Sequence, residues 1–471
     1  MKRQLHLNLF ISGKGHHEAS WRHPDSSSLP STDIRYLQGL SQRAEEGLFD
    51  SIFLADQLAF QGGGAQIALE PLTALAALAV STNKIGLIAT ASTTYTEPFN
   101  LVRQFASLDH ISNGRVGWNI VTSWSEPASR NYGYETQISH TDRYVKADEF
   151  MEVAKSLWDS WSDDAIVDDK ADGQYLYGNR IRSIDHKGDH YSVEGPLNIP
   201  RGPQGWPVLV QAGSSKTGRQ FASKYGEAVF TAHMEKSTAK SFYSDLKSLV
   251  KSRGRSQNQC LILPGLSPVI ASTELEAKRF SEDLNELADT NEGLARLSSR
   301  FGGTDFSHLP LDKPLSPEDF PDPSTVESAR SRTEVIVGVI RKEKPTLRQL
   351  LSKMAAARGH YVFAGTPEQV AELIEDWFYD GVADGINLMP PVLPKMLDVF
   401  IDEVVPLLQK KGIFRTTDGG DSWERVLFVD ESTGGVDVVM DPQNPQVLFA
   451  ATWQMFIQPW GRWSGGPGSG I

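Results

Sequence analysis

The amino-acid sequence predicts an α/β protein whose parallel strands close into a TIM (β/α)8 barrel, followed by a short all-β C-terminal fragment. Short strand-like segments alternate with helical segments along most of the chain, which is typical of βαβ units and a parallel sheet. About eight such strands favour a closed barrel over an open Rossmann-type sheet, and no GxGxxG fingerprint follows an early strand. The 471 residues exceed the roughly 250 of a plain barrel, so insertions are expected.

Strands are predicted where apolar residues alternate or form short runs between turn signals. They lie at residues 4–11, 51–54, 85–89, 115–121, 207–211, 227–230, 261–263 and 385–388. Helices are predicted where apolar residues recur at helical spacing, at residues 32–46, 71–80, 98–111, 141–161 and 393–410. Another helix begins after Thr366, because TPEQ at 366–369 is a capping box with proline at the first helical position.

Two long stretches interrupt this alternation and are predicted as insertions in the barrel. Residues 163–206 are rich in Asp, Gly and Tyr, and residues 291–360 are rich in Pro, Ser and charged side chains. Segments of this length without regular structure usually serve as functional lids or lack order. We therefore assign residues 1–412 to one barrel domain with two insertions.

From about Gly412 the sequence changes character and predicts a separate module at residues 413–471. DGG, TGG and DPQNP are turn signals between alternating segments, which indicates antiparallel strands. TTDGGDSW at 416–423 resembles the Asp box of sortilin-like β-propeller repeats. A propeller needs at least about four blades. The remaining residues suffice for little more than one, so we interpret the segment as a fragment.

Composition excludes several classes of partner and site. The formal charge of −13 disfavours nucleic acid and anionic membranes as partners. Cys260 is the only cysteine, which excludes an intrachain disulfide and a cysteine-based metal site, and no facial-triad spacing is present. The N-terminus alternates like a strand, and no segment reaches the roughly 18 apolar residues of a membrane span. We expect a cytoplasmic protein without a metal.

Several long motifs in the same order resemble one group of flavin enzymes. They are GHHEASWRHP, FLAD, STTYTEPFNLVRQFASLDHISNGRVGWNIVTS, HTDRYVKADEFMEVAKSLWDSW and VLVQAGSSKTGRQFASKYGEAVF, and FGGTDFSHLPLDKPL and GTPEQVAELIEDWFYDGVADGINLMPP also match. Residues 1–412 thereby resemble the nitrilotriacetate, dibenzothiophene-sulfone and long-chain alkane monooxygenase group of the bacterial luciferase-like flavin monooxygenases. The resemblance implies a luciferase-like barrel that uses reduced FMN and O2.

This resemblance also implies a two-component monooxygenase. A separate NAD(P)H-dependent flavin reductase supplies FMNH2, and one oxygen atom enters a small organic substrate through a flavin C4a-hydroperoxide. The missing dinucleotide fingerprint agrees with flavin reduction on another protein. A homo-oligomer, either a dimer or a tetramer, is expected. Two alternatives stay open: a deazaflavin-dependent reductase on the same barrel, and a non-catalytic binding or scaffold protein that uses the Asp-box fragment.

Cofactor contacts are predicted at the C-terminal ends of the strands, where barrel enzymes place their sites. Ser214 and Ser215 follow a strand and open a helix, whose N-terminus attracts anions. Spacing alone favours a plain N-cap for these serines, whereas the resemblance assigns the FMN phosphate to them. The resemblance likewise assigns flavin contacts to Asp56 and Thr90, although a helix or turn cap explains Asp56 equally well.

Catalytic residues are predicted at His140 and Tyr144, four residues apart on one helical face. An imidazole and a phenol there can hydrogen-bond the flavin and control protons. Spacing alone favours His140 as a helix cap and Tyr144 as packing, whereas the HTDRY motif assigns both to the site. In the family a histidine after the first strand lines the substrate pocket; we assign this role to His17, with His16 or a plain surface pair as alternatives.

Overall fold

A closed ring of parallel strands forms the centre of the protein in the computed structural model. The structure describes residues 3–60, 67–123, 125–326, 330–414, 433–441, 444–458 and 461–464. Contacts divide the chain into two units, Met1–Arg415 and Thr416–Ile471, and the ring belongs to the first unit.

The strands of the first unit are short segments of two to ten residues. In chain order they are β1 (His6–Ile11), β2 (Ser51–Leu54), β3 (Gly86–Ser92), β4 (Val116–Val121), β5 (Ile166–Asp169), β6 (Gln174–Leu176), β7 (His186–Lys187), β8 (Ser192–Val193), β9 (Val208–Gln211), β10 (Ala228–Thr231), β11 (Leu261–Ile270), β12 (Tyr361–Gly365) and β13 (Gly385–Leu388).

Parallel pairing joins eight of these strands into a closed barrel. The order around the ring is β1, β2, β3, β4, β9, β10, β11 and β13, and β13 pairs with β1 to close it. These are the eight strands that the sequence predicts, so the TIM-barrel prediction is confirmed. β12 was not predicted; it pairs in parallel with residues 266–270 of β11, beyond the part that pairs with β10.

Helices follow most of the ring strands. They are α1 (Ile34–Glu46), α2 (Pro71–Ala79), α3 (Pro98–Ser112), α4 (Glu126–Asn131), α5 (His140–Trp158), α6 (Lys216–Tyr225), α7 (Lys236–Ser252), α8 (Glu274–Glu286), α9 (Thr290–Arg300), α10 (Arg330–Glu343), α11 (Leu347–Ala357), α12 (Pro367–Tyr379), α13 (Lys395–Val399) and α14 (Val405–Lys410), with a π-helical turn at Phe400–Val404. The predicted capping box at Thr366 is present. Among the described helices, none is long and apolar enough to cross a membrane.

The two faces of each ring strand meet different surroundings, because successive side chains of a strand point to opposite sides. In β1, Leu7 and Leu9 are fully buried in the core that the strands share with the outer helices. Asn8 instead donates a hydrogen bond from Nδ2 to Oδ1 of Asn387, 2.6 Å away, on the opposite side of the strand. Phe10 stacks against Phe53, with ring centroids 4.6 Å apart. The interior of the ring is therefore filled by side chains, as expected for this fold.

The two predicted insertions differ in content. Residues 163–206 carry two short antiparallel pairs, β5 with β6 and β7 with β8. Residues 291–360, expected as lid-like or unordered loops, instead contain most of α9 and all of α10 and α11. The helices form because their apolar residues bury each other in a second core, which includes Leu297, Phe306 and Ile340.

The described part of the second unit contains three antiparallel strands in the order β14 (Thr433–Asp441), β15 (Asn444–Gln458) and β16 (Gly461–Ser464). The alternation of apolar residues predicts strands near residues 426–429, 436–440 and 447–451. The second and third fall within β14 and β15, and the first lies outside the described residues. The Asp box at 416–423 lies outside the described residues, so its assignment to a propeller repeat stays a prediction. The proposed division into domains 1–412 and 413–471 also stays a prediction.

Candidate active site

A cavity of about 1390 Å³ opens at the C-terminal ends of the ring strands. Phe10, Phe53, Thr90, Asn119 and Gln211 contribute to its wall, each from the last residues of a ring strand or next to them. This is the face on which barrel enzymes assemble their active sites, because the loops that follow the strands converge there. Of the residues predicted for cofactor binding, Asp56, Thr90, His140, Tyr144, Ser214 and Ser215 all line this one cavity.

The loop between β9 and α6 forms one end of the cavity. Ser215 is the N-cap of α6, and its Oγ accepts a hydrogen bond from the backbone N–H of Gly218 at 3.0 Å. The Oγ of Ser214 lies 3.2 Å from Oγ1 of Thr231. Both serines therefore border the positive end of a ten-residue helix, where an anion is stabilised. The N-cap alternative is correct for Ser215, but the same side chain also faces the cavity.

Two glycines let the Tyr144 hydroxyl approach this loop. A Cβ atom on Gly213 would lie 2.2 Å from Nε2 of Gln211 and 3.0 Å from the Tyr144 hydroxyl oxygen. A Cβ atom on Gly218 would also lie 3.0 Å from that hydroxyl oxygen. The absence of side chains at these positions thus allows α5 and the start of α6 to come together.

The start of α5 brings His140 and Tyr144 together, with ring centroids 5.0 Å apart. Nε2 of His140 lies 3.5 Å from Oγ of Ser215. Burial raises the pKa of the Tyr144 hydroxyl, although the side chains of Ser215 and Thr122 act in the opposite direction, so the hydroxyl keeps its proton at neutral pH. The helix is capped by Ser139, whose side chain accepts from Asp142 N–H, and not by His140 as the alternative explanation required.

Polar groups along β2, β3 and β4 form another part of the wall. Nδ2 of Asn119 donates to Oγ1 of Thr90 at 2.9 Å, and both side chains are buried. Oδ1 of Asn119 is also buried but has no hydrogen-bond partner among the described residues. Burial, followed by repulsion from Glu70, raises the pKa of Asp56 to about 6. A bound molecule with N–H donors would satisfy these acceptors, which otherwise stay desolvated at a cost.

The two adjacent histidines near the N-terminus, His16 and His17, have different surroundings in the structure. His16 lines the cavity, with Nε2 2.8 Å from the carbonyl oxygen of Phe10. His17 is also buried but is not among the cavity-lining residues; its Nε2 lies 3.2 Å from Oδ1 of Asn285, and its Nδ1 accepts from Ala19 N–H. Burial lowers the pKa of His16 to about 3 and that of His17 to about 4. Both rings are therefore neutral at physiological pH.

The backbone of Gly15 decides which histidine faces the cavity. Its φ of +140° lies in a region that favours glycine, and a Cβ there would fall 2.3 Å from the carbonyl oxygen of Pro391. The chain packs closely on the segment after β13 and then turns His16 inward. The geometry thus favours the alternative, His16, as the histidine that reaches a substrate.

The sequence analysis missed several cavity residues from the insertion and the end of α11. They are Arg296, Arg300, Arg358 and His360. Arg296 and Arg300 are four residues apart on α9, so their shared face was a readable signal. Nothing local indicates that Arg358 joins them. Among the described residues, no group of three or more His, Cys, Asp or Glu side chains could hold a metal ion.

Comparison with known proteins agrees with this geometry. The family model for luciferase-like monooxygenases matches residues 14–384. The chain is 44% identical over 417 residues to N-acetyl-S-(2-succino)cysteine monooxygenase from Bacillus subtilis, covering 88% of this chain and 94% of that protein. It is 43% identical over 429 residues to nitrilotriacetate monooxygenase component A from Aminobacter aminovorans, with the same coverage.

The chain belongs to the luciferase-like monooxygenase family. Among solved structures, EDTA monooxygenase from Chelativorans sp. BNC1 is 33% identical with a TM-score of 0.70, over 88% of this chain and 95% of that chain. The structure of riboflavin lyase with modified FMN and riboflavin is 30% identical with a TM-score of 0.78, over 88% of this chain and 93% of that chain. An F420-dependent secondary alcohol dehydrogenase shares only the fold, at 16% identity and a TM-score of 0.54.

The family confirms the main functional prediction. The chain is an FMNH2-dependent two-component monooxygenase that uses O2 and acts on a small organic molecule, with a separate flavin reductase as its partner. The deazaflavin reductase and the non-catalytic scaffold are not favoured.

Proposed function

We propose that the cavity at the C-terminal mouth of the barrel binds reduced FMN and oxygenates the substrate beside it. One observation carries this proposal: the six residues predicted for the cofactor, which come from four separate segments of the chain, line one cavity. His16 replaces His17 in the proposed substrate wall because only His16 is among the lining residues.

The N-terminus of α6 is the proposed phosphate site. Ser214 and Ser215 offer hydroxyl groups at the positive end of the helix, and hydrogen bonds from such groups to an anion are charge-assisted. The flavin ring is proposed to extend toward Thr90 and Asn119. The unpartnered Oδ1 of Asn119 is an acceptor for a ring N–H, and Phe53 supplies an apolar surface. The residues present therefore fit FMN.

Reduced FMN, when bound, supplies the electrons that activate O2 and delivers one oxygen atom to the substrate. The protein must exclude water and control protons around that reaction. Tyr144 keeps its hydroxyl proton because burial raises its pKa, so this hydroxyl is available as a hydrogen-bond donor in the cavity. His140 lies beside it and can accept or return a proton at Nε2.

Several finer statements belong to the same proposal. A homo-oligomer and a cytoplasmic location remain expectations from the sequence, the latter supported by a single cysteine, Cys260, which is buried. We also propose that residues 413–471 are a separate module with no part in the flavin reaction. The names of the relatives specify N-acetyl-S-(2-succino)cysteine, nitrilotriacetate, dibenzothiophene sulfone and long-chain alkanes. These compounds are too diverse to select a substrate for this chain.

Anaerobic titration of the full-length protein with FMNH2 and with reduced riboflavin tests the cofactor proposal. Riboflavin lacks the phosphate, so it should bind at least about tenfold more weakly if the α6 site holds that group. Equal affinities would contradict the phosphate assignment. In parallel, the protein is mixed with FMN, a flavin reductase, NADH and O2, and binding of reduced F420 is measured as a control for the deazaflavin alternative.

A further inference from the structure

A row of hydrogen-bonded side chains leads from the proposed phosphate site to the start of α7, and it is named here the hydroxyl relay. It consists of Ser214, Thr231, His233 and Thr238, and all four residues line the cavity. Thr231 is the last residue of β10, and Thr238 lies in the first turn of α7. The flavin proposal uses Ser214 but none of the other three residues.

Three contacts connect the members of the relay. The Oγ atom of Ser214 lies 3.2 Å from Oγ1 of Thr231, and Oγ1 of Thr231 lies 3.0 Å from Nε2 of His233. On the other side of the ring, Nδ1 of His233 lies 3.2 Å from Oγ1 of Thr238. The relay therefore joins a serine of the phosphate site to both nitrogen atoms of one imidazole.

The middle of the relay is buried and held in one orientation. Thr231 is 3% exposed and His233 is 7% exposed. The imidazole ring of His233 also packs against the ring of Phe242 on α7, with centroids 5.4 Å apart. A buried polar group that loses its hydrogen bond costs free energy. A change at one member of the relay must therefore be matched by its neighbours.

The contact at the far end fixes the direction of the hydrogen bonds in the relay. The Thr238 hydroxyl donates to the carbonyl oxygen of Glu235 at 2.9 Å. A hydroxyl has one hydrogen, so Oγ1 of Thr238 accepts from Nδ1–H of His233. In the neutral ring Nε2 is then an acceptor, to which the Thr231 hydroxyl donates. Ser214 in turn donates to Thr231, so its one hydrogen is not available to a phosphate.

A bound phosphate requires the opposite direction. The oxygen atoms of a phosphate dianion only accept, so Ser214 binds the phosphate by donating to it. If Thr231 still donated to His233, the lone pairs of the two hydroxyl oxygens would face each other. Thr231 must therefore donate to Ser214 and accept from Nε2 of His233. An imidazole can take either role at Nε2, because this nitrogen can gain or lose a hydrogen.

We propose that His233 is a positioning residue for the FMN phosphate, on which it acts through Thr231 and Ser214. In the bound state the ring donates to Thr231, Thr231 donates to Ser214, and Ser214 donates to the phosphate. The relay thereby favours FMN over riboflavin, which has no phosphate to accept the last hydrogen bond. This inference rests on the proposed phosphate site at the N-terminus of α6.

Anaerobic titration of the full-length protein with reduced FMN and reduced riboflavin tests the centre of the relay. Thr231→Val keeps the shape of the side chain but removes the hydroxyl. Affinity for FMN should therefore fall about three- to tenfold, while affinity for riboflavin stays unchanged. Thr231→Ser keeps the hydroxyl and should keep the wild-type ratio of the two affinities. Thr82→Val is the matched control, because Thr82 is a buried, hydrogen-bonded threonine that is not among the cavity-lining residues.

Two replacements of His233 separate hydrogen bonding from packing. His233→Gln keeps an amide that can donate to Thr231. His233→Phe keeps a ring against Phe242 but has no donor. The relay predicts that His233→Gln retains more of the preference for FMN over riboflavin than His233→Phe does. A side chain that served only packing would give the opposite order, because phenylalanine fills the space of the imidazole ring better than glutamine.

The possible results distinguish this inference from the phosphate site on which it rests. If the wild type binds FMN and riboflavin equally, the proposed phosphate site is wrong, and the relay is wrong with it. If the wild type prefers FMN and Thr231→Val keeps that preference, only the relay is overturned. An equal loss of affinity for both flavins in Thr231→Val would also overturn it. So would a preference for FMN in His233→Phe as strong as that in His233→Gln.

Discussion

Replacing both Ser214 and Ser215 by alanine should weaken FMN binding at the N-terminus of α6 while the barrel stays folded. A hydrogen bond to a charged group contributes about 1.5–3 kcal/mol, so losing two of them amounts to roughly 3–6 kcal/mol. Water that enters the space left by the hydroxyl groups can bind the phosphate and so restores part of the lost binding free energy. The helix dipole also still attracts the phosphate. We therefore expect FMN affinity to fall by at least about tenfold.

The cost to stability can be worked out separately. Ser215 is the N-cap of α6 and accepts from Gly218 N–H at 3.0 Å, and removal of such a cap costs about 0.5–2 kcal/mol. Thr273 is the matched control, because it caps α8 through the N–H of Glu276 and is not among the cavity-lining residues. Thr273→Ala should lower the free energy of unfolding by a similar amount and leave FMN affinity unchanged.

Anaerobic fluorescence titration with FMN and riboflavin is the assay, and urea unfolding reports stability. In the double serine variant, affinity for FMN should fall and affinity for riboflavin should stay near the wild-type value. The reasoning is refuted if FMN binds the double variant as tightly as wild type. It is also refuted if the two flavins lose affinity equally, because the serines would then not contact the phosphate.

Three further expectations concern other parts of the chain. His140→Ala should lower the yield of oxygenated product per NADH and raise that of hydrogen peroxide. His110→Ala, at the exposed end of α3, should change neither yield. Equal product yields in the wild type and in His140→Ala would contradict the role of His140. A chain ending at Arg415 should keep FMN binding and aggregate less, because the unpaired strand edges that the sequence predicts for residues 416–471 are removed. Lost binding would show that residues 416–471 support the cavity. Because the pKa of Asp56 is raised to about 6 in the folded state, the free energy of unfolding should fall as pH rises from about 4 to 6 and stay constant at higher pH. Urea unfolding of Asp56→Asn should show a smaller decline over this range. An unchanged pH profile in the variant would contradict the raised pKa of Asp56.

Local patterns in the sequence were sufficient for the barrel. Each of the eight ring strands combines apolar runs with flanking turn signals, and those features depend only on neighbouring residues. The same holds for the capping box at Thr366, which the structure retains. β12 escaped prediction because it follows an insertion and pairs only with the far half of β11, so its strand character depends on a distant partner.

Local sequence also predicted one part of the candidate site and left another part undecided. Strand ends and motif matches placed Asp56, Thr90, His140, Ser214 and Ser215 together, since the ends of parallel barrel strands must meet at one face. Spacing could not choose between His16 and His17, because adjacent residues differ only in which way the backbone turns them. That choice depends on Gly15 packing against Pro391, more than 370 positions away in the chain.

By itself, the sequence predicted the closed α/β barrel, the family and six residues that line the cavity at the barrel mouth, because periodicity, caps and long motifs are properties of contiguous segments. Only the tertiary structure decided how the second insertion contributes to the cavity. Glu18 and Arg296 are 278 positions apart, yet they share a hydrogen bond, and Arg358 lines the same cavity from the end of another helix. Side chains from separate segments come together only after the chain folds, so the approach of Glu18 and Arg358 to the cavity has no signature in any single stretch of sequence.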